Sequence, residues 1–217
     1  TLSAFYLDIL KDRLYTSAPN SQSRRSAQTA LFDILDGLLR LMSPILCFTA
    51  AEAWNALKNL GENGALLEEI HFVEFAPAKI IDCDAQMMEK WTKLIKVRSE
   101  ITKALELARR DKVIGHSLEA EVLVRAEGEM ANFLRCEWDT IKEISIISEL
   151  NILQEGSPVA GIRFTSEEIP GMIVQVQSAR GEKCERCWIR STTVGTISAH
   201  PAICERCAGV LAEMHVA

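Results

Sequence analysis

The chain has 217 residues, 48% of them hydrophobic, 25% charged and 6% aromatic, enough to bury a sizeable core and too mixed in composition for disorder. Its formal net charge of -6 argues against indiscriminate nucleic-acid binding, which draws on clustered Lys and Arg. The longest stretch free of Asp, Glu, Lys and Arg, Ser191 to Cys204, is polar and shorter than the roughly 18 apolar residues of a membrane span.

Length gives a prior of one to two domains, and no repeat of solenoid period recurs. The start Thr1-Leu2-Ser3-Ala4 lacks an initiator Met and a signal-peptide pattern, so a fragment is expected and export is not indicated. Charge is uneven: residues 178 to 217 carry 5 basic and 4 acidic side chains, against 19 and 26 in residues 1 to 177.

Residues 3 to 15 read as a helix with Phe5, Ile9, Leu10 and Leu14 on its apolar side. Ala27, Leu31, Ile34, Leu35, Leu38, Leu41 and Met42 recur at three and four, so a long amphipathic helix follows that needs a partner surface and stops at Pro44. Thr49 and Glu52 form a capping-box pattern ahead of Trp54 and Leu57, with Gly61 closing that helix.

After a loop over 61 to 84, Met87, Trp91, Leu94, Ile101, Leu105 and Ala108 define a fourth helix whose apolar seam Arg98 interrupts, as a paired charge at the bundle edge. Four helices with short connections predict an antiparallel bundle. The basic run Lys90 to Lys112 on the fourth helix reads as a solvated face.

Beyond the boundary at Val113-Ile114-Gly115-His116-Ser117 the period changes. Leu118 to Arg125 alternates as a half-buried strand, Glu129 to Trp138 reads as a short helix, and Ile144 to Leu153 and Ile173 to Val176 read as further strands. The expected fold class is therefore mainly α: an antiparallel helical bundle over 1–115, a small α+β unit over 116–177, and a four-cysteine zinc-knuckle segment over 178–217.

The chemistry lies in that last segment. Cys184-Glu185-Arg186-Cys187 and Cys204-Glu205-Arg206-Cys207 are identical tetrapeptides, in the spacing C-x2-C-x16-C-x2-C. Two residues between paired cysteines let one tight turn aim both sulfurs at one point, and two such turns supply a tetrahedral zinc shell. A thioredoxin-type dithiol needs one pair in a β-α-β setting, and two disulfides need an oxidising compartment. One structural zinc ion is therefore expected on Cys184, Cys187, Cys204 and Cys207, with no open position for catalysis. The segment between the knuckles is expected to fold back as a short hairpin.

Cys47, Cys83 and Cys136 are expected to be buried and inert. His200 and His215 are surplus to a complete shell. No phosphate loop, dinucleotide fingerprint or H-E-x-x-H pattern occurs, so no catalytic residue is assigned, and Gly115-His116-Ser117 is an isolated polar turn.

Trp188, directly after the first knuckle, with Lys183, Arg186, Arg190 and Arg206 nearby, has the makings of a stacking platform for an unpaired base. Packing over the zinc is the competing role for this ring.

Phe5-Tyr6-Leu7-Asp8-Ile9-Leu10-Lys11-Asp12-Arg13-Leu14-Tyr15, Arg24-Arg25-Ser26-Ala27-Gln28-Thr29 and Phe48-Thr49-Ala50-Ala51-Glu52-Ala53-Trp54 together resemble the anticodon-binding helical domain of bacterial isoleucyl-tRNA synthetase. Val97-Arg98-Ser99-Glu100-Ile101, Ile114-Gly115-His116-Ser117-Leu118-Glu119-Ala120 and the terminal knuckles resemble the same family in the same order. Terminal knuckles of this kind also resemble those of formamidopyrimidine-DNA glycosylases, whose catalytic N-terminal proline Thr1 does not replace.

The resemblance implies a cytoplasmic ligase that joins isoleucine to its tRNA with ATP. The region would grip the anticodon arm of isoleucine tRNA: Lys11, Arg13, Arg24 and Arg25 on the helices, and Trp188, Lys183, Arg186, Arg190 and Arg206 at the zinc end. The ATP motifs and any editing domain are absent, so activity is expected to belong to a catalytic half of the parent chain. A zinc-dependent protein-docking module and another nucleic-acid-binding zinc protein are the alternatives. Phe5 and Leu10 are expected to lie uncovered without upstream chain, favouring dimerisation or aggregation.

Overall fold

The computed structural model describes residues 2–60, 68–75 and 84–214. They fall into two compact units, one of Thr1–Ala18 with Cys83–Ala217 and the other of Pro19–Asp82.

In the second unit, α2 (Gln22–Met42) starts at Ser21, whose hydroxyl accepts from the Arg24 N–H at 3.4 Å. It ends before Pro44, as a missing donor requires. Helix α3 (Cys47–Leu60) packs on it, burying Leu39, Ala50, Trp54 and Leu57 with Ile70. The Trp54 indole N–H donates to the Glu68 carbonyl at 2.9 Å, which satisfies the ring's one polar atom inside this core. Because α3 begins at Cys47, Thr49 lies within the helix and does not cap it. Gly61 lies outside the described residues. Of the α2 face that pattern alone marks as needing a partner, Leu35, Leu38 and Leu41 are exposed within the unit, as is Phe32, which that pattern leaves out.

The first unit opens with a π-helical turn, Leu2–Tyr6, that runs into α1 (Leu7–Thr16). Leu10 is buried and Phe5 and Ile9 pack on the main core, so Phe5 and Leu10 are covered by this chain itself, contrary to the sequence expectation. Helix α4 (Ala85–Arg110) is capped by Asp84, which accepts from the Met87 N–H. It buries Leu94, Val97, Ile101, Ala104, Leu105 and Ala108, while Met87 and Trp91 at its start remain exposed.

Arg98 sits at the edge of that seam, donating to the Ile144 carbonyl at 2.8 Å with its guanidinium 4.7 Å from the Phe5 ring centroid. Its charge is met by a carbonyl and an aromatic face. The basic run is largely paired: Lys90 with Glu137, Lys93 with Glu89, Lys103 with Glu100 and Glu168, and Arg109 with Glu106.

A sheet of β1 (Ala120–Arg125), β2 (Glu149–Ile152), β3 (Ile162–Thr165) and β4 (Ile173–Ser178) has the order β2-β1-β4-β3, parallel only between β1 and β2. The parallel pair needs a crossover, supplied by α5 (Gly128–Cys136) and α6 (Trp138–Ser145). Ala120, Val122 and Val124 alternate inward with Val174 and Val176, and meet α4 and Ile141 and Ile144 of α6 in one core. On the opposite face Glu121 accepts from Asn151 at 2.8 Å and Gln177 at 2.9 Å.

Ile144, read as the start of a strand, closes α6 instead, because Ile146 takes a left-handed φ of 54° and ends the helix there. Strand β3, where the sequence pattern predicts no element, pairs with β4 in the register Phe164↔Val174.

Candidate metal centre and nucleic-acid interface

The last segment is built on two short strands, β5 (Glu182–Lys183) and β6 (Arg190–Ser191), paired through Glu182↔Ser191 and Lys183↔Arg190. They flank the first knuckle, so the hairpin expected between the knuckles instead encloses one of them. Gly181 opens it at a φ of 81°, where a Cβ would lie 2.3 Å from the Ser191 carbonyl carbon; only glycine allows this approach.

Within the knuckle the Trp188 N–H donates to the Cys184 carbonyl and the Cys184 N–H to the Ile189 carbonyl, both at 2.9 Å. Cys204 stands at the N-cap of α7 (Glu205–Glu213), placing Cys207 in that helix's first turn, where unpaired N–H groups favour a thiolate.

The four sulfurs of Cys184, Cys187, Cys204 and Cys207 lie within 4.8 Å of one another, and all four residues are buried. Cys187 Sγ is 3.7 Å from Cys204 Sγ. A Zn–S bond of about 2.3 Å in a regular tetrahedron sets neighbouring sulfurs about 3.8 Å apart, so the spacing matches the ion. The Cys204 N–H donates to Cys184 Sγ at 3.3 Å, a support for a negatively charged sulfur.

Without a cation these thiols interfere with one another. Cys187 is pushed up to about 12, first by its hydrogen bond with Cys207 and then by burial. Cys207 is held below the ordinary thiol value by that same bond. Four buried sulfurs converging on one point, with backbone and cationic support, are the donor set of a closed structural zinc site, and the four-cysteine cluster fits one zinc ion. Bound there, the ion would supply folding free energy and leave no position for substrate.

His200 is half-buried and absent from the sulfur cluster, and His215 and Cys83 lie outside the described residues. Cys47 and Cys136 are exposed, contrary to the buried role expected of them. Cys47 is the first residue of α3, at the end of the helix where less of the fold lies over it, and Cys136 ends α5 past its one buried residue, Leu134.

Trp188 is 60% exposed and held at a φ of 66°, a left-handed conformation that costs a bulky residue about 1–2 kcal/mol. Lys183 Nζ lies 5.1 Å from the centroid of its ring. Ring and cation form one exposed surface beside the metal centre. Arg190 donates from its side chain to the Gly181 carbonyl at 2.9 Å and from its backbone N–H to Ser148 Oγ at 2.7 Å, which fastens the hairpin to the sheet unit.

Arg186 and Arg206 turn to α1: Arg206 forms a two-pronged ion pair with Asp12, and Arg186 donates to the Thr16 carbonyl at 2.6 Å. Of the helical basic residues in this unit, Lys11 pairs with Asp8 at 2.7 Å and Arg13 with Glu143. Arg24 and Arg25 open α2 in the other unit, Arg24 half-buried and Arg25 exposed. Asp12 and Thr16 are the members that sequence reasoning missed. The one available signal was the arginine repeated at the third place of both knuckles, whose partner 194 residues away no spacing rule discloses.

Gly115-His116-Ser117 is a cap rather than a catalytic site. His116 Nδ1 accepts from the Leu118 N–H at 3.2 Å, and Glu119 Oε2 accepts from the N–H groups of Gly115 at 2.7 Å and His116 at 3.2 Å. Those backbone donors outweigh burial and hold the Glu119 carboxyl below its ordinary range. Among the described residues no helix is long and apolar enough to cross a membrane.

Comparison with known proteins agrees with this geometry. Residues 1–124 match the family described as the anticodon-binding domain of tRNA ligase, and residues 181–209 match the zinc finger found in FPG and IleRS. The isoleucine–tRNA ligase of Desulfotalea psychrophila is 56% identical over 214 residues, 99% of this chain and 23% of that protein. Those of Syntrophotalea carbinolica and Carboxydothermus hydrogenoformans are 43% and 44% identical over 213 residues, 98% of this chain and 22% of each. The chain thus spans under a quarter of the length of these relatives. With more than half of its residues matched to that family and a closed four-cysteine centre behind them, the chain belongs to the anticodon-binding domain family of tRNA ligases.

Proposed function

We propose that this chain is the region of an isoleucine–tRNA ligase that grips the anticodon arm of isoleucine tRNA. The ligase joins isoleucine to that tRNA with ATP, and amino-acid activation belongs to a catalytic half of the parent protein; this region alone is inactive in it. A cytoplasmic setting follows from the reaction.

The observation that carries the reading is Trp188, an aromatic plane set out on the zinc knuckle at a strained φ with Lys183 over it. A ring held exposed against both solvent and backbone cost is arranged for a partner, and an unpaired base stacked on it with a cation nearby contributes about 1–3 kcal/mol. The phosphate contacts fall first to Lys183 and then to Lys11, Arg24 and Arg25. Arg13, Arg186, Arg190 and Arg206 fasten separate segments of the fold to one another and act chiefly through the local positive field.

The division of roles follows the chain: residues 1–115 for the stem and loop, 116–177 as a spacer unit, and 178–217 for the bases. Antiparallel packing of α2 and α3 belongs to the same proposal, supported by the short link at 43–46 and the core the two helices share.

The test is binding of an isoleucine-tRNA transcript across a salt series. An RNA reader gives log affinity falling linearly with log salt, and Trp188→Ala weakens binding about 5- to 100-fold at every salt with the slope unchanged. Binding that ignores both salt and Trp188 would overturn the reading and leave a protein-docking module.

A further inference from the structure

The third residue of each knuckle is an arginine, and both arginines reach the same end of α1. Arg206 Nη1 and Nη2 donate to Asp12 Oδ2 and Oδ1 at 2.6 and 2.8 Å, and Arg186 Nη1 donates to the Thr16 carbonyl at 2.6 Å. Asp12 and Thr16 are one helical turn apart, and Thr16 Oγ1 donates to both the backbone and the side chain of Asp12 at 2.8 Å.

The same guanidiniums also serve the metal centre, crosswise. Arg206, from the second knuckle, favours the charged form of Cys187 of the first, and Arg186, from the first, favours that of Cys207 of the second. Four thiolates around a divalent cation leave two negative charges, and these two arginines face them. Burial pushes the Asp12 carboxyl up, but Arg206, Thr16 and Arg186 more than offset it and keep Asp12 ionised.

We propose that Asp12 is a positioning residue for RNA recognition: by holding Arg206, beside the Thr16 carbonyl that holds Arg186, it straps the zinc knuckles to the end of α1 and fixes where Trp188 points. The proposal rests on the reading of Trp188 given above. Both arginines thereby act within the protein, between sulfur and helix. A planar, two-pronged guanidinium–carboxylate pair has a defined geometry that a single Lys contact lacks, which suits it to orient one element on another.

Asp12→Asn separates this role from simple electrostatics, because the two predict opposite signs. Removing a negative charge and freeing Arg206 tightens RNA binding if Arg206 contacts phosphate. If Asp12 positions the knuckle, binding weakens.

In the zinc-loaded protein, the experiment combines hydrogen–deuterium exchange over residues 7–16 and 181–209 with binding of the isoleucine-tRNA transcript at fixed salt. Asp12→Asn is expected to speed exchange in both segments and weaken binding about 5- to 10-fold, at one zinc per chain and with an unchanged salt slope. Asp12→Glu retains the pair, and the charge-swapped Asp12→Arg, Arg206→Asp protein recovers part of the loss. Unchanged exchange overturns the strap. Faster exchange with binding equal or tighter overturns the positioning role. Failure of the unmodified protein to bind the transcript overturns the function proposed above, while the exchange arm still decides whether the strap exists.

Discussion

Lys183 Nζ stands 5.1 Å from the centroid of the Trp188 ring, and the backbone beneath that ring is held at a φ of 66°. Ring and backbone therefore have opposite preferences: the turn favours glycine, and the exposed surface displays a tryptophan. Positive φ costs little without a Cβ, so a bulky tryptophan is held there against the turn's preference.

Replacing Trp188 by Gly and by Ala distinguishes the two demands. In ordinary helix or strand positions glycine is less stable than alanine by about 0.5–1 kcal/mol. Here the order reverses, with Trp188→Gly the more stable by about 1 kcal/mol because only alanine retains the left-handed strain. Both proteins lose RNA affinity alike. Chemical denaturation of the zinc-loaded proteins checks the first statement, and transcript binding the second; a glycine protein less stable than the alanine protein would refute the strain.

The metal centre is expected to act as the core of its own segment. Cys184, Cys187, Cys204 and Cys207 cluster with Ile189, Val194 and Ile203, apart from the main core of α4 and the sheet. Chelation removes a contribution of about 10–16 kcal/mol to folding in small zinc modules. Hydrogen exchange over residues 181–209 then rises to near unprotected rates, while β1 and β4 stay protected. Cys204→Ser reproduces the result without chelator. Protection that survives metal removal would show that the apolar contacts suffice.

How much of this was legible in the sequence depends on the range of each interaction. The ligand set was readable because each pair lies within one turn and the repeat is identical. Alternation placed Val122 and Val124 on the inner face of β1, since period two is local. Residues that fail the pattern depend on distant partners. Met87 and Trp91 continue the spacing of Leu94 yet stay exposed, whereas Phe5 and Leu10, expected bare, are covered within the same unit. Ile144 has the composition of a strand, but its burial against the core as the last turn of α6 overrides propensity. Asp12 carried no local sign at all, because its function rests on Arg206.

Gly181 gives a steric prediction. At a φ of 81°, Gly181→Ala pays about 1–3 kcal/mol of backbone strain and also drives its Cβ to within 2.3 Å of the Ser191 carbonyl group, which has nowhere to move in the paired hairpin. Gly195→Ala has a φ of 88° but nothing within 4 Å of its Cβ, so it incurs strain alone. Competition with a colorimetric chelator is expected to extract zinc much faster from Gly181→Ala than from Gly195→Ala. Equal rates would mean that the β5–β6 pair does not hold the first knuckle in place.

Glu100 sets an acid limit on the larger unit. It is fully buried on α4, where burial pushes its carboxyl up, but Lys103, 2.6 Å away, and the Ser166 hydroxyl more than offset this and bring it below the ordinary 4.5. A carboxyl lowered on folding contributes stability that is present above its unfolded value and lost as pH falls through the folded one. Glu100→Gln is therefore expected to lower the thermal midpoint by about 3–6 °C at pH 7, where the unmodified carboxylate is charged and paired. As pH falls below the ordinary 4.5 and through the lowered folded value, the unmodified side chain itself becomes neutral, so the two melting curves converge. Thermal melts followed by circular dichroism from pH 3 to 7 check this, and a difference that stays constant across that range would show that the packing of the side chain, rather than its charge, stabilises the helix.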